Sequence, residues 1–192
     1  MDAAYKRAPR REPIATHSSI YVRRDAPGVL AFGNPEWTGD WAIFGISQED
    51  ATDYCAWLTH RTGATWEFSL PTEDEWEKAA RGPDGRSFPW GDVFDTSFCR
   101  MCDSRILERK ELGPEPCGLF PLDESPYGMR DLAGGVAEWT STPCGSRGEY
   151  RVTKGGDWNA TAPSARGASR GARGPTGVGI SIGFRVAAHR KR

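Results

Sequence analysis

The chain has 192 residues, with 25 Lys plus Arg against 26 Asp plus Glu, enough for one domain with a real core but no global field to gather nucleic acid or an anionic membrane. It has no run of about 18 apolar residues and no apolar signal core near its start, which points to a soluble, unprocessed, cytoplasmic chain. Its 23 Gly, 14 Pro and 8 Trp predict a loop-rich fold pinned by large aromatic side chains, and an odd count of 5 cysteines argues against a disulfide framework.

In chain order, Lys6 to Arg11 is the first basic cluster and His189 to Arg192 the second; both read as solvated ends rather than nucleic-acid arms. Ser47 and Asp50 form a capping-box pattern ahead of Ala51, Tyr54, Cys55 and Leu58, and Gly63 supplies a stop, so a helix is predicted over Gln48 to Arg61. Thr72 and Glu75 repeat the device, with Trp76, Ala79 and Ala80 on one face of a short helix ending near Gly82. Beyond it, prolines and glycines from Pro83 to Pro126 leave no room for long regular elements. Strands are predicted near Tyr150 to Lys154 and over Ile180 to Ala187.

Two clusters invite a metal. Cys99 and Cys102 have the spacing of a zinc half-site, with Cys117 and Cys144 as further thiols, but no second paired spacing follows; buried or loop thiols are the simpler reading. His17, His60 and His189 are scattered, and His60 reads as a surface or capping histidine.

Ordered blocks carry a resemblance: Phe44-Gly-Ile-Ser47, Leu70-Pro-Thr-Glu-Asp-Glu-Trp-Glu-Lys-Ala-Ala-Arg-Gly82, Phe88-Pro-Trp-Gly-Asp92, Ser125 to Thr140, Arg151 to Trp158 and Gly183-Phe-Arg-Val-Ala-Ala188. Together they resemble the formylglycine-generating enzyme (sulfatase-modifying factor) family. The resemblance implies an α+β, C-type-lectin-like fold with two helices, short twisted strands and much loop. It divides the chain into an irregular N-terminal segment 1–40, a domain 41–188 and a basic tail 189–192. Tyr5 to Trp41 resembles the insert found in copies fused behind bacterial serine/threonine kinases, which implies an upstream or neighbouring kinase as a partner. Either Met1 is an internal start or the chain is the C-terminal part of something longer; kinase motifs are absent from it.

Active members of the family oxidise a substrate cysteine with oxygen at a copper ion held by two cysteines. The matching positions are Ala165 and Arg170, and no cysteine follows Cys144, so no copper is expected. A related branch uses iron on three histidines, which this chain does not supply. The family's calcium site carries over onto Asp131, Gly134, Val136 and Glu138, hard oxygen donors that make calcium the expected cofactor; a second family calcium site is expected to be replaced by Arg100. Ala137 stands where the family often has tryptophan, which predicts a reshaped groove bordered by Ala137, Trp158, Asn159, Arg166, Arg170 and Arg173. The three arginines suit a carboxylate or phosphate. The implied function is a non-catalytic domain that binds a peptide, a protein or a small anionic ligand through its C-terminal loop, with no nucleic acid and no membrane as partner. The alternatives are a thiol-directed oxidase acting on sulfatase-type substrates, with a site relocated to Cys99 and Cys102, and a retroelement-diversified binding protein, since Asn159 to Gly174 is rich in Ala, Ser, Gly and Arg.

Overall fold

The computed structural model describes residues 40–63, 65–104 and 113–191, and the backbone of two short strands, β1 (Arg23–Ala26) and β2 (Val29–Ala31). Both expected helices form, and local capping explains where. At α1 (Gln48–Thr62) the Ser47 hydroxyl accepts the Asp50 N–H at 3.1 Å while the Asp50 carboxylate accepts the Ser47 N–H at 3.0 Å. At α2 (Glu73–Arg81) the Thr72 N–H reaches the Glu75 carboxylate at 2.8 Å, and three acidic residues fill the first turn, the positive end of the helix dipole. Gly82 ends α2 with φ at +64°, and a Cβ there would lie 2.6 Å from Pro126 Cγ, so both backbone and space demand glycine.

Six more strands complete two sheets. β3 (Trp66–Ser69) pairs antiparallel with β8 (Ala187–Arg190), from Trp66 opposite Arg190 to Ser69 opposite Ala187. The larger sheet has the order β6-β5-β4-β7, with β4 (Ala137–Cys144), β5 (Tyr150–Lys154), β6 (Gly171–Arg173) and β7 (Ile182–Phe184). β4 runs antiparallel to β5 and parallel to β7, and its register with β5 shifts between Trp139 and Pro143, where the proline has no N–H to give the ladder. The result is an α+β, loop-rich fold.

Three departures from the sequence reading have physical causes. The strand expected over Ile180 to Ala187 is two strands in two sheets, because the chain turns at Arg185, whose side chain is drawn to Glu138. The basic tail does not stand free: His189 and Arg190 complete β8 against β3. Within 1–40, expected to be irregular, β1 and β2 pair antiparallel around a Pro27-Gly28 sequence, while Lys6 to Arg11 and His17 lie outside the described residues.

The core is divided among the loops. One cluster joins α1 to the large sheet through Ile46, Ala51, Cys55, Leu70, Trp139 and Ile182, and the Trp139 indole N–H donates to the Ile46 carbonyl at 3.0 Å. A second gathers Phe88, Cys99, Met101, Ala133 and Ala165, with Trp90 stacked on Phe88 at 5.4 Å. A third sets Trp76 and Ala80 of α2 against Leu132. Burying these aromatics supplies the stabilisation that regular hydrogen-bond ladders supply in other folds. No helix among the described residues is long and apolar enough to cross a membrane.

Candidate functional site

A groove of about 240 Å³ opens where β5 runs into the Gly155-Gly156 turn and the loop Asn159 to Gly174 folds back over it. Both glycines have positive φ, and a Cβ on Gly156 would lie 3.0 Å from the Ser164 carbonyl oxygen, so the bare backbone lets the loop approach. Charge is handled in a chain across α2. Lys154 is fully buried, 3.1 Å from Glu77 and 3.9 Å from Glu73, with its ammonium 5.6 Å from the centre of the Trp76 ring. Arg170, at the groove mouth, reaches Glu73 at 2.9 Å. Burial alone would raise the Glu77 carboxyl, but Arg81 and Lys154 hold it below its ordinary value. Asp157 braces the floor, accepting the Ser181 hydroxyl at 2.6 Å and the Asn159 N–H at 3.0 Å.

Of the residues expected at this groove, Ala137, Arg170 and Arg173 line it. Trp158 does not: it is buried, edge-on to Phe44 at 5.3 Å. Asn159 is exposed beyond the groove lining, and Arg166 lies 6.0 Å over the Phe88 ring. Thr153, Lys154, Asp157, Ser164 and Ser169 do line it and were not singled out; the Lys-Gly-Gly-Asp step at the end of β5 was the available signal.

A second cluster lies behind β4. Glu138, 5% exposed, receives Arg185 Nε at 2.5 Å and Nη2 at 2.7 Å on its two oxygens, and the Trp76 indole N–H at 2.6 Å. Arg185 Nη2 also donates to the Asp131 carbonyl at 2.9 Å and the Arg130 carbonyl at 3.2 Å. Burial works to lower the Arg185 pKa, and Glu138 more than offsets it. Asp131, the one described non-glycine residue with positive φ (+55°), turns its carboxylate to the Gly118 N–H at 2.9 Å; burial raises its pKa. All four positions carried over for calcium border one cavity here, yet both Glu138 oxygens are engaged, and no group of three or more His, Cys, Asp or Glu among the described residues is arranged to hold a metal ion. As arranged, Glu138 serves a guanidinium and an indole; calcium would draw on Asp131, on the carbonyls of Gly134 and Val136 and on the lone pairs that Glu138 has left. Arg100, expected to replace the second calcium site, is 5% exposed and donates to the Gly113 carbonyl at 3.0 Å.

Asp123 lines the same cavity. Its Oδ2 accepts the Ala133 N–H at 2.9 Å, its Oδ1 is buried with no hydrogen-bond partner among the described residues, and burial pushes its pKa up to about 7. A carboxyl raised in the folded state gives stability that is fully present below the unfolded pKa and is lost as pH rises through 7. Asp123→Asn is therefore expected to gain about 2 kcal/mol relative to the wild type on going from pH 5 to pH 8, read by urea unfolding at both values. An unchanged difference would mean that Asp123 stays ionised throughout.

The order of these parts, two capped helices, the Glu138-Trp139 strand, the Gly-Gly turn and the Gly-Phe-Arg strand, matches a known pattern. A family profile described as the sulfatase-modifying factor enzyme 1-like domain matches residues 35–190. The chain belongs to this family. A mouse relative, "Inactive C-alpha-formylglycine-generating enzyme 2", is 34% identical over 74% of the chain and 47% of its own length. "Serine/threonine-protein kinase pkn1" of Chlamydia caviae is 29% identical over 76% of the chain and 24% of its own length. The structure of PvdO from Pseudomonas aeruginosa superposes with a TM-score of 0.68 at 23% identity, covering 93% of the chain and 74% of PvdO. The chain thus spans about half the length of the mouse relative and a quarter of the kinase.

Within this sulfatase-modifying factor domain the two positions carried over for copper hold Ala165 and Arg170. Ala165 is wholly buried in the Phe88 and Cys99 cluster, and Arg170 is held by Glu73; neither offers a thiolate, so the residues do not fit copper. Cys99 is wholly buried, and burial pushes its thiol up to about 12; burial raises the Cys102 thiol as well.

Proposed function

We propose that this sulfatase-modifying factor domain is non-catalytic and binds an anionic ligand in the groove between the β5 turn and the Asn159 to Gly174 loop. The observation that carries the reading is the fate of the two copper positions: one is an apolar core residue and the other an ion-paired arginine at the groove mouth. Lys154, Arg170 and Arg173 line the groove against one carboxylate, Asp157; Glu77 and Glu73 pair with the first two, so Arg173, with no ion pair among the described residues, is the cation open to a carboxylate or phosphate. The inactive label on the mouse relative is in keeping with this. The kinase relative makes a fused or neighbouring serine/threonine kinase in a cytoplasmic setting the most natural context.

An oxidase with its site moved to Cys99 and Cys102 is the competing reading. A thiol raised to about 12 and sealed in the core is protonated at neutral pH and closed to substrate, which disfavours it. The deciding assay is oxygen uptake with monovalent copper and a cysteine-containing peptide. No thiol-dependent uptake above the metal blank is expected, and turnover lost in Cys99→Ser would establish the oxidase instead. Arg170→Ala should weaken ligand binding while changing stability by less than about 1 kcal/mol, since its ion pair with Glu73 is half exposed. Millimolar calcium tests the other expected ligand: a rise in the wild-type Tm that is lost in Asp131→Asn would support an ion at this cluster, and an unchanged Tm would count against it.

A further inference from the structure

The strand β6 forms one edge of the large sheet: the order β6-β5-β4-β7 leaves its outer side without a partner among the described residues. Edge strands of soluble proteins are commonly guarded by bulky charged side chains, prolines or bulges. β6 is guarded weakly. It reads Gly171-Ala172-Arg173, all three residues are exposed, and its register with β5 is regular, Gly171 opposite Thr153, Ala172 opposite Val152 and Arg173 opposite Arg151. Gly171 lies so close to Thr153 that a Cβ would be 2.5 Å from the hydroxyl oxygen, so that position stays bare backbone. Two small residues therefore leave main-chain donors and acceptors open beside the groove, which Gly171 and Arg173 both line.

Charge selects what would pair there. Arg173 has no ion pair among the described residues, Arg170 stands just before the same edge, and its partner Glu73 is shared with Lys154, while Asp157 across the groove is engaged by Ser181 and the Asn159 N–H. A small anion would need the arginines but not the open backbone. An extended acidic chain would use both: its main chain would add a strand, one carboxylate would meet Arg173 on β6, and another would meet Arg170 just before the strand.

We propose that the ligand of the groove is an acidic peptide segment bound in extended form as an added strand on β6. This rests on the non-catalytic binding reading above and specifies its ligand. The probe is a fluorescent pool of heptapeptides with Glu or Asp at alternate positions and mixed residues between, read by anisotropy against the purified chain. Its controls are two pools with alternate backbone amides N-methylated in opposite phases, a pool with Lys in place of the acids, and citrate as a small anion.

The acidic pool is expected to bind and the Lys pool not. One methylated phase should lose affinity by about tenfold or more, because it cannot give its amide hydrogens to the edge. Arg173→Glu should abolish binding with no change in Tm, and the Gly171 to Arg173 amides should exchange more slowly in the complex. Equal binding by both methylated pools, or binding of citrate but not of the acidic pool, would overturn the added strand while leaving an anion-binding groove. Failure of every anionic probe would remove the binding reading itself.

Discussion

Glu138→Ala is expected to lower the unfolding free energy by about 3 kcal/mol, because it strands a largely buried guanidinium that has no other ion pair among the described residues and feels Asp131 and Asp123 only at longer range. The same change removes the acceptor of the Trp76 indole N–H, so α2 loosens from β4 as well. Glu138→Gln keeps an acceptor for Trp76 but not the charge, and should fall between the two. The cycle Glu138→Leu, Arg185→Met and the double variant, followed by guanidinium denaturation, separates desolvation from pairing. The double variant is expected to cost clearly less than the sum of the singles, since removing both charges leaves neither unpaired. Additive losses would mean that the two residues act independently.

Trp139→Ala should cost about 3–5 kcal/mol as well, by a different route. The indole is wholly buried at the meeting of β4, α1 and β7, so truncation leaves a cavity bordered by Ile46, Leu70 and Ile182 and leaves the Ile46 carbonyl without its donor. Trp139→Phe keeps most of the packing and loses only the hydrogen bond and part of the ring, so a smaller loss of about 1–2 kcal/mol is expected. If Trp139→Ala unfolds at the wild-type denaturant midpoint, the joint between α1 and the sheet is not where the domain's cooperativity resides.

What the sequence disclosed and what it hid divide along the range of the interactions. Capping boxes close within three residues, so Ser47 with Asp50 and Thr72 with Glu75 announced both helices to within a residue of their starts. That Ala165 and Arg170 carry no thiol was equally legible, being a matter of residue identity. β4 was not legible, because its first four residues are buried on both faces and show no alternation. The break between β7 and β8 was hidden for another reason: Arg185 leaves the strand for a partner 47 residues upstream, which no local pattern records. At the groove, Trp158 was expected among the binding residues and is a core residue, while Lys154 was not and lines the cleft. Type and spacing are the same in either case, and only the packing against Phe44 and Trp76 tells them apart.

The pairings made by residues 182–190 also bear on how the domain comes to be. β7 supplies the parallel neighbour of β4, and β8 closes onto β3, a strand made about 120 residues earlier at the Ser69 and His189 contact. A nascent chain from which residues 182–190 have not yet emerged has two unfinished sheets and an unmatched Glu138. Such distant closures come at high loop entropy, so folding is expected to be slow and to wait until residues 182–190 are available. Until then Trp139 and the open flank of β4 are exposed to any chaperone, or any other nascent copy, that reaches them first.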